Sequence, residues 1–384
     1  MFLYNRINKK ERKQQLLQTD EERFTISFYR YHAIKNPHFF RDYLYAQWDT
    51  WRVYGRVYVA TEGINAQISV PKAHFDDFQA HLQTITFLAG VRLNIAHEDD
   101  GKSFALLKIK TKPKIVADGL EDETFDVTNK GIHVNAQEFN ALAEDPDTII
   151  LDMRNHYESE VGHFEGAICP DVDTFRDSLP LIEEMLAQHK ADKKLLMYCT
   201  GGIRCEKASA YFKHKGFKQV YQLDGGIIHY ARQVKEGGLP NKFLGKNFVF
   251  DERLSERIGD QIISHCHQCG APADTHTNCK NLACNLLFIQ CQECAKKYEG
   301  CCSRDCQAVI QLPEDDQKAL RKHLHTNAQQ QNRIFRKGRR LKDYHNTPAL
   351  QRPYVPTTTT AAIAHQKADE SPSTHSKNPA AEPS

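Results

Sequence analysis

No stretch of the 384-residue chain reaches the roughly 18 consecutive apolar residues that a membrane-spanning helix needs. The opening Met1-Phe2-Leu3-Tyr4 runs straight into Arg- and Lys-rich sequence and lacks the apolar core of a signal peptide, so a soluble cytoplasmic protein is the expectation. Net charge is scarce as well. The 51 Lys and Arg residues against 49 Asp and Glu leave +2, so global charge selects no partner and any contact with a polyanion has to be local. Neither a flavin nor a nicotinamide glycine fingerprint occurs, and no clear 2-His-1-carboxylate iron pattern stands out. Cysteine is thin over most of the chain: of 12, nine fall between Cys266 and Cys306. Without an export signal, that local density points to metal binding before disulfides.

What is present is concentrated around Leu195-Leu196-Met197-Tyr198-Cys199-Thr200-Gly201-Gly202-Ile203-Arg204-Cys205-Glu206-Lys207. A short apolar run reads as a buried strand that delivers Cys199 to the carboxyl edge of a sheet, where open α/β proteins place reacting groups. Gly201 and Gly202 permit a tight loop with inward N–H groups, and the helix that follows adds the positive end of its dipole. With Arg204 as a fixed cation, the setting favours a thiolate. A plain core cysteine is the competing reading. Cys205, near the first turn of that helix, is either a resolving thiol or packing, and Glu206 and Lys207 read as solvated.

The rest of the chain organises into six parts. Residues 1–20 form a charged arm. In 21–125, strand, helix, two strands, helix and strand (with Pro71 in the first turn of the second helix and Val91–Ile95 as the last strand) follow the order of a ferredoxin-like, acylphosphatase-like α+β sandwich. Lys108, Lys110 and Lys112, flanked by Lys102 and Lys114, form either a phosphate-facing strip or a solvated edge strand. Residues 126–240 alternate strands and helices, as a doubly wound parallel sheet does. Asp152 and Arg154 suit an ion pair beneath the active loop, and His163 and Glu165 suit anchoring of a substrate loop. Residues 241–310 hold the cysteine-rich module. Residues 311–346 carry Arg333, Arg336, Lys337, Arg339 and Arg340 around Phe335, suited to a phosphate backbone or to a solvated tail. From 347 to 384, Thr, Pro, Ala and Ser predict disorder.

Asp152-x-Arg154, Gly162-His163-x-x-Gly166-Ala167, Cys199 with Arg204 five residues on, and Leu223-x-Gly225-Gly226 together resemble the ordered signature of a rhodanese domain. The loop has the length of sulfur-transferring members. With the small α+β domain before it and the cysteine-rich segment after it, residues 20–310 resemble the rhodanese-related tRNA uridine hydroxylases. The resemblance implies tRNA as partner, molecular oxygen as co-substrate, and 5-hydroxyuridine at the wobble position as product. It implies Cys199 as the essential cysteine, framed by Thr200, Gly201, Gly202, Ile203 and Arg204, with Cys205 matching a second family cysteine. Two chemical routes remain open: addition of the Cys199 thiolate to C6 of uracil, or oxygen carried first on the sulfur. A persulfide-carrying sulfurtransferase and a non-catalytic RNA-binding module are the rival readings.

Cys266-x2-Cys269, Cys279-x4-Cys284, Cys291-x2-Cys294, Cys301-Cys302 and Cys306 have thiolate spacing for two tetrahedral, structural zinc ions. One of the nine is spare, Cys301 or Cys302, and sequential and interleaved pairings both fit. Iron–sulfur ligation is a minor alternative.

Overall fold

The structure, a computed structural model, describes residues 3–5, 7–121, 124–325 and Leu341. Arg333, Arg336, Lys337, Arg339, Arg340 and the segment 347–384 lie outside the described residues.

After helix α1 (Lys9–Leu17) comes a layer of β1 (Arg23–Tyr31), α2 (Pro37–Thr50), β2 (Tyr54–Ala60), β3 (Gly63–Pro71), α3 (Phe75–Thr84), β4 (Asn94–Ile95) and β5 (Leu107–Thr111). The sheet order is β4-β1-β3-β2-β5. Its first four strands are antiparallel neighbours, the split βαβ arrangement of a ferredoxin-like sandwich, and β5 adds a parallel edge beside β2. Alternation along the strands sends Ile26, Phe28, Val57, Val59, Ile64, Ala66 and Ile68 to one face, where Leu44, Trp48, Phe78 and Leu82 of α2 and α3 cover them. Pro71 ends a strand instead of opening a helix: a single tight turn at Lys72–His74 intervenes and α3 begins at Phe75. The expected strand at 91–95 shrinks to Asn94–Ile95, which pairs only with Ser27 and Ile26.

The second layer runs β6 (Ile132–Val134), α4 (Ala136–Ala143), β7 (Thr148–Asp152), α5 (His156–Ser159), β8 (Gly162–Phe164), α6 (Phe175–Met185), β9 (Lys194–Tyr198), α7 (Ile203–His214), β10 (Gln219–Leu223) and α8 (Gly226–Gly237). Strands β6-β10-β9-β7 form a parallel sheet with β9 inside it. Such a strand is buried on both sides, which is why 195–198 reads as an unbroken apolar run. Leu195 and Met197 join one core with Phe175, Leu179, Ile182 and Phe212, whereas Leu196 and Tyr198 join another with Phe139, Phe164 and Tyr230. Cys199 continues the first alternation and so lies toward α7.

β11 (Phe243–Phe248) pairs with β8 on one side and with β12 (Ser255–Arg257) on the other in a three-stranded sheet, so the chain beyond residue 240 is sewn onto the second layer. The cysteine-rich module follows, with β13 (His276–Asn278), β14 (Leu287–Ile289), α9 (Gln292–Lys297), α10 (Arg304–Ile310) and then α11 (Glu314–His325). No described helix is long and apolar enough to cross a membrane.

Candidate active site and metal centres

Cys199 is fully buried and sits between the end of β9 and the start of α7. The Gly202 N–H donates to its Sγ at 3.1 Å. Gly202 has φ +96°, and a Cβ there would lie 2.9 Å from the Tyr29 hydroxyl, so glycine meets both a backbone and a space requirement. The loop carbonyls turn the other way. Those of Cys199 and Thr200 accept from the Ile227 and Ile228 N–H groups at 3.0 and 3.2 Å, at the start of α8. Gly226 allows this approach, since a Cβ there would stand 2.5 Å from the Cys199 carbonyl oxygen.

This arrangement sets the state of the thiol. Burial opposes its ionisation. The Cys205 thiol, the Arg204 cation and the Cys205 and Arg204 N–H groups outweigh burial and bring Cys199 down to about 6. Cys205 goes the other way, held protonated by burial and by its negative neighbour. Arg204 is itself clamped: Glu158 on α5 accepts from its two Nη atoms at 2.6 and 2.8 Å, and both groups are buried. Thr200 Oγ1 touches both partners at 3.4 Å. Arg204 therefore works as one half of a fixed ion pair at the helix start.

Asp152 and Arg154 are both fully buried, with Nη2–Oδ2 at 2.6 Å, and Tyr198 Oη donates to the same Asp152 oxygen at 2.8 Å. Arg154 Nη2 also donates to the Gly162 carbonyl at 2.6 Å. His163 Nδ1 lies 2.9 Å from the Ser159 carbonyl at the end of α5, while Glu165 is exposed and its N–H donates to the Lys242 carbonyl.

Glu206 and Lys207 are corrections to the sequence reading: both are buried, because the first layer docks its open sheet face on the start of α7. Tyr29 Oη and His133 Nε2 meet Glu206 Oε1 at 3.1 and 3.0 Å, and Lys130 meets its other oxygen at 2.5 Å. Lys207 pairs with Glu62 at 2.7 Å and lies over the Tyr31 ring. Tyr31 Oη donates to the Ile203 carbonyl at 3.3 Å, and Arg92 grips Asp224 with two bonds of 2.6 and 2.5 Å. The Cys199 loop therefore lies at a junction of two layers. Sequence reasoning missed Tyr29, Tyr31, Arg92 and Glu158, since each acts across a long sequence separation. The charged pair Glu206-Lys207 directly after Cys205 was the one visible signal.

Of the lysines, Lys108 and Lys110 are exposed on edge strand β5, opposite Arg56 and Tyr58. Burial, and after it the charges of Lys9, Lys110 and Arg56, lower the Lys108 pKa. Lys112 lies 5.9 Å from the Tyr58 ring, whereas Lys114 is tied to Asp118 and the Leu120 carbonyl.

The cysteines form two four-sulfur groups. Cys266, Cys269, Cys291 and Cys294 make one; Cys279, Cys284, Cys302 and Cys306 make the other; within each, all Sγ atoms lie within 4.8 Å of one another. The pairing is interleaved, and Cys301 is left as a buried core residue. Separations of 3.7 Å (Cys269–Cys291), 3.6 Å (Cys284–Cys302) and 3.7 Å (Cys302–Cys306) rule out S–S bonds. They match the roughly 3.8 Å edge of a tetrahedron of thiolates about 2.3 Å from a central ion. The first group sits against the second layer, with Val161 packed on Cys266 and Cys294, and His267 Nε2 2.8 Å from Glu160 Oε1 at the end of α5.

Known families match the chain in the same three parts. A model of the UPF0176 acylphosphatase-like domain matches residues 23–115, one of the rhodanese-like domain matches 135–233, and one described as rhodanase C-terminal matches 244–307. A tRNA uridine(34) hydroxylase of Photorhabdus laumondii is 54% identical over 351 residues, covering 91% of this chain and 98% of the relative. The chain belongs to the tRNA uridine(34) hydroxylase family. The Yersinia pseudotuberculosis member, of the same name, is 57% identical over 320 residues, 83% of this chain and 90% of its own. The tRNA uridine(34) hydroxylase match spans both layers, and with them the junction at which Cys199 lies.

Proposed function

We propose that this chain hydroxylates uridine 34 of tRNA to 5-hydroxyuridine with molecular oxygen, and that Cys199 is the reacting residue. The observation that carries the reading is the thiolate held at about 6 at the junction of two layers, one of which brings Tyr29 to the loop. A thiolate can add to C6 of uracil, which makes C5 nucleophilic toward an oxygen source; the C5 proton then leaves and the thiolate is expelled. Arg204 with Glu158, and the N–H groups of Gly202, Arg204 and Cys205, position and stabilise that thiolate. Thr200, Gly201 and Ile203, which are half exposed, form the loop surface that a uracil meets. His163 supports α5 from behind the loop.

Lys108, Lys110 and Lys112, together with Arg333, Arg336, Lys337, Arg339 and Arg340, contact the tRNA backbone in this reading. The two four-cysteine groups hold one zinc ion each in a structural role, because four thiolates leave no open coordination position. The enzyme acts in the cytoplasm, where these thiols stay reduced.

The test is nucleoside mass spectrometry of tRNA from cells with the wild-type protein, with Cys199→Ser or with none, alongside purified protein, tRNA and oxygen. 5-Hydroxyuridine derivatives are expected only with the wild type in the purified reaction. Equal product from Cys199→Ser would refute the assignment of Cys199. A thiosulfate-dependent persulfide on Cys199 with no hydroxylated product would favour sulfur transfer instead.

A further inference from the structure

Inserting one atom of O2 into the C5–H bond of uracil leaves the second oxygen atom to depart as water, which takes two electrons and two protons. The Cys199 thiolate and the Cys205 thiol closing to a disulfide supply both electrons and one of the protons, and solvent supplies the other. Cys205 is the third residue of α7, fully buried like Cys199 and packed in the same core. Its thiol and its backbone N–H both help to lower the Cys199 pKa, and Cys199 in turn helps to hold the Cys205 thiol protonated, so the two groups are neighbours within that core. A protonated thiol buried beside a thiolate is one that can close a disulfide with it once an oxidant arrives. Among the described residues the other cysteines lie elsewhere: eight in the metal groups, Cys301 in the core of that module, and Cys169 with its Sγ 3.8 Å from the Ala167 carbonyl.

We propose that Cys205 is a second catalytic residue, and that the Cys199–Cys205 dithiol is the two-electron reductant of the hydroxylation. The proposal rests on the reading that Cys199 hydroxylates uridine with oxygen. The balance is uracil C5–H, O2, the Cys199 thiolate, the Cys205 thiol and one proton from solvent on one side; uracil C5–OH, water and the Cys199–Cys205 disulfide on the other. The C5–H, O–O and one S–H bond break, and C–O, O–H and S–S bonds form. Oxygen is reduced, and the uracil carbon and both sulfurs are oxidised. Each turnover leaves a disulfide that a small-molecule dithiol or a dithiol protein must reduce, through attack of an external thiolate on one of the two sulfurs.

The experiment uses the full chain, reduced and freed of added thiol under anaerobic conditions, then mixed with unmodified tRNA and oxygenated buffer. Product is counted by nucleoside mass spectrometry and the disulfide by peptide mass spectrometry. The expected result is one 5-hydroxyuridine per chain, matched one to one by the Cys199–Cys205 disulfide, with turnover resuming on addition of dithiothreitol. Cys205→Ala is expected to lose at least tenfold in turnover with dithiothreitol present, while peptide mapping of the folded protein still finds Cys199 alkylated. A burst of product with both thiols still free overturns the dithiol assignment and leaves the hydroxylase reading intact. A disulfide that forms as fast without tRNA as with it also overturns the assignment. Absence of product from the wild type under every condition, with dithiothreitol or without, fails the underlying reading instead.

Discussion

Replacing Gly202 by alanine tests how the loop makes a thiolate. The backbone there has φ +96°, a left-handed conformation that costs an L-residue about 1–2 kcal/mol. The new Cβ would also stand 2.9 Å from the Tyr29 hydroxyl, so the loop or the tyrosine has to move. Either movement pulls the Gly202 N–H off the Cys199 sulfur, now 3.1 Å away. A hydrogen bond to a charged group contributes about 1.5–3 kcal/mol. At 1.36 kcal/mol per unit, its loss raises the thiol by about 1–2 units from its present value of about 6. At pH 7 the thiolate fraction then falls from about 90% to between about 50% and 10%. The assay is the rate of Cys199 alkylation by iodoacetamide against pH, in a background where the other reactive thiols are identified by peptide mapping. The midpoint should move up in Gly202→Ala, and adding Tyr29→Phe should return part of the shift by making room. An unchanged midpoint in the single variant would show that the Gly202 N–H does not hold the thiolate.

The wild-type kcat/KM should rise with pH through a midpoint near 6, because protonated Cys199 is the inactive form below it; a midpoint near the ordinary thiol value of about 8.5 would contradict the loop electrostatics. Glu158→Gln should destabilise the protein by about 3–5 kcal/mol in denaturant titration, since it strands the buried Arg204 cation, and Glu158→Gln with Arg204→Met should recover most of that loss. Metal analysis should find Cys302→Ser short of one ion per chain and Cys301→Ser with both, as the interleaved groups require. Lys108→Ala with Lys110→Ala should weaken tRNA binding and lower the slope of log affinity against log salt by about 1 for each phosphate that is no longer neutralised.

The fold was legible where local pattern and tertiary role coincide. The apolar run at 195–198 belongs to a strand buried on both faces. The strand at 91–95 shortened because only two of its residues find a partner on β1, which no local pattern encodes. Cys199, Arg204 and the loop glycines were readable because the chemistry of the loop is contiguous in sequence. Glu158 was not: it reaches Arg204 from 46 residues upstream, and α5 looks like an ordinary capped turn. Glu206 and Lys207 were misread for the same reason. A charged pair at the start of a helix is usually solvated, and only the docking of β1 across 177 residues of sequence turns Glu206 into a buried acceptor for Tyr29.

The short helix α5 shows why three parts of the chain are needed around one cysteine. Its Glu158 fixes Arg204 at the loop, and its last carbonyl, from Ser159, meets His163 of β8. Immediately after it, Glu160 meets His267, which stands between two cysteines of the first four-sulfur group. A four-residue helix has too few internal hydrogen bonds to hold its own position, so its placement has to come from what it packs against. Val161 against Cys266 and Cys294, together with the His267 contact, supplies that support from the cysteine-rich module. From the opposite side, β1 braces the first turn of α7 through Tyr29 and Tyr31. The loop that carries Cys199 is thus held from both ends by elements outside its own sheet: one end depends on the ordering of the cysteine-rich module, the other on the docking of the acylphosphatase-like layer. An isolated middle domain would keep the Cys199–Arg204 sequence while losing both restraints on its geometry.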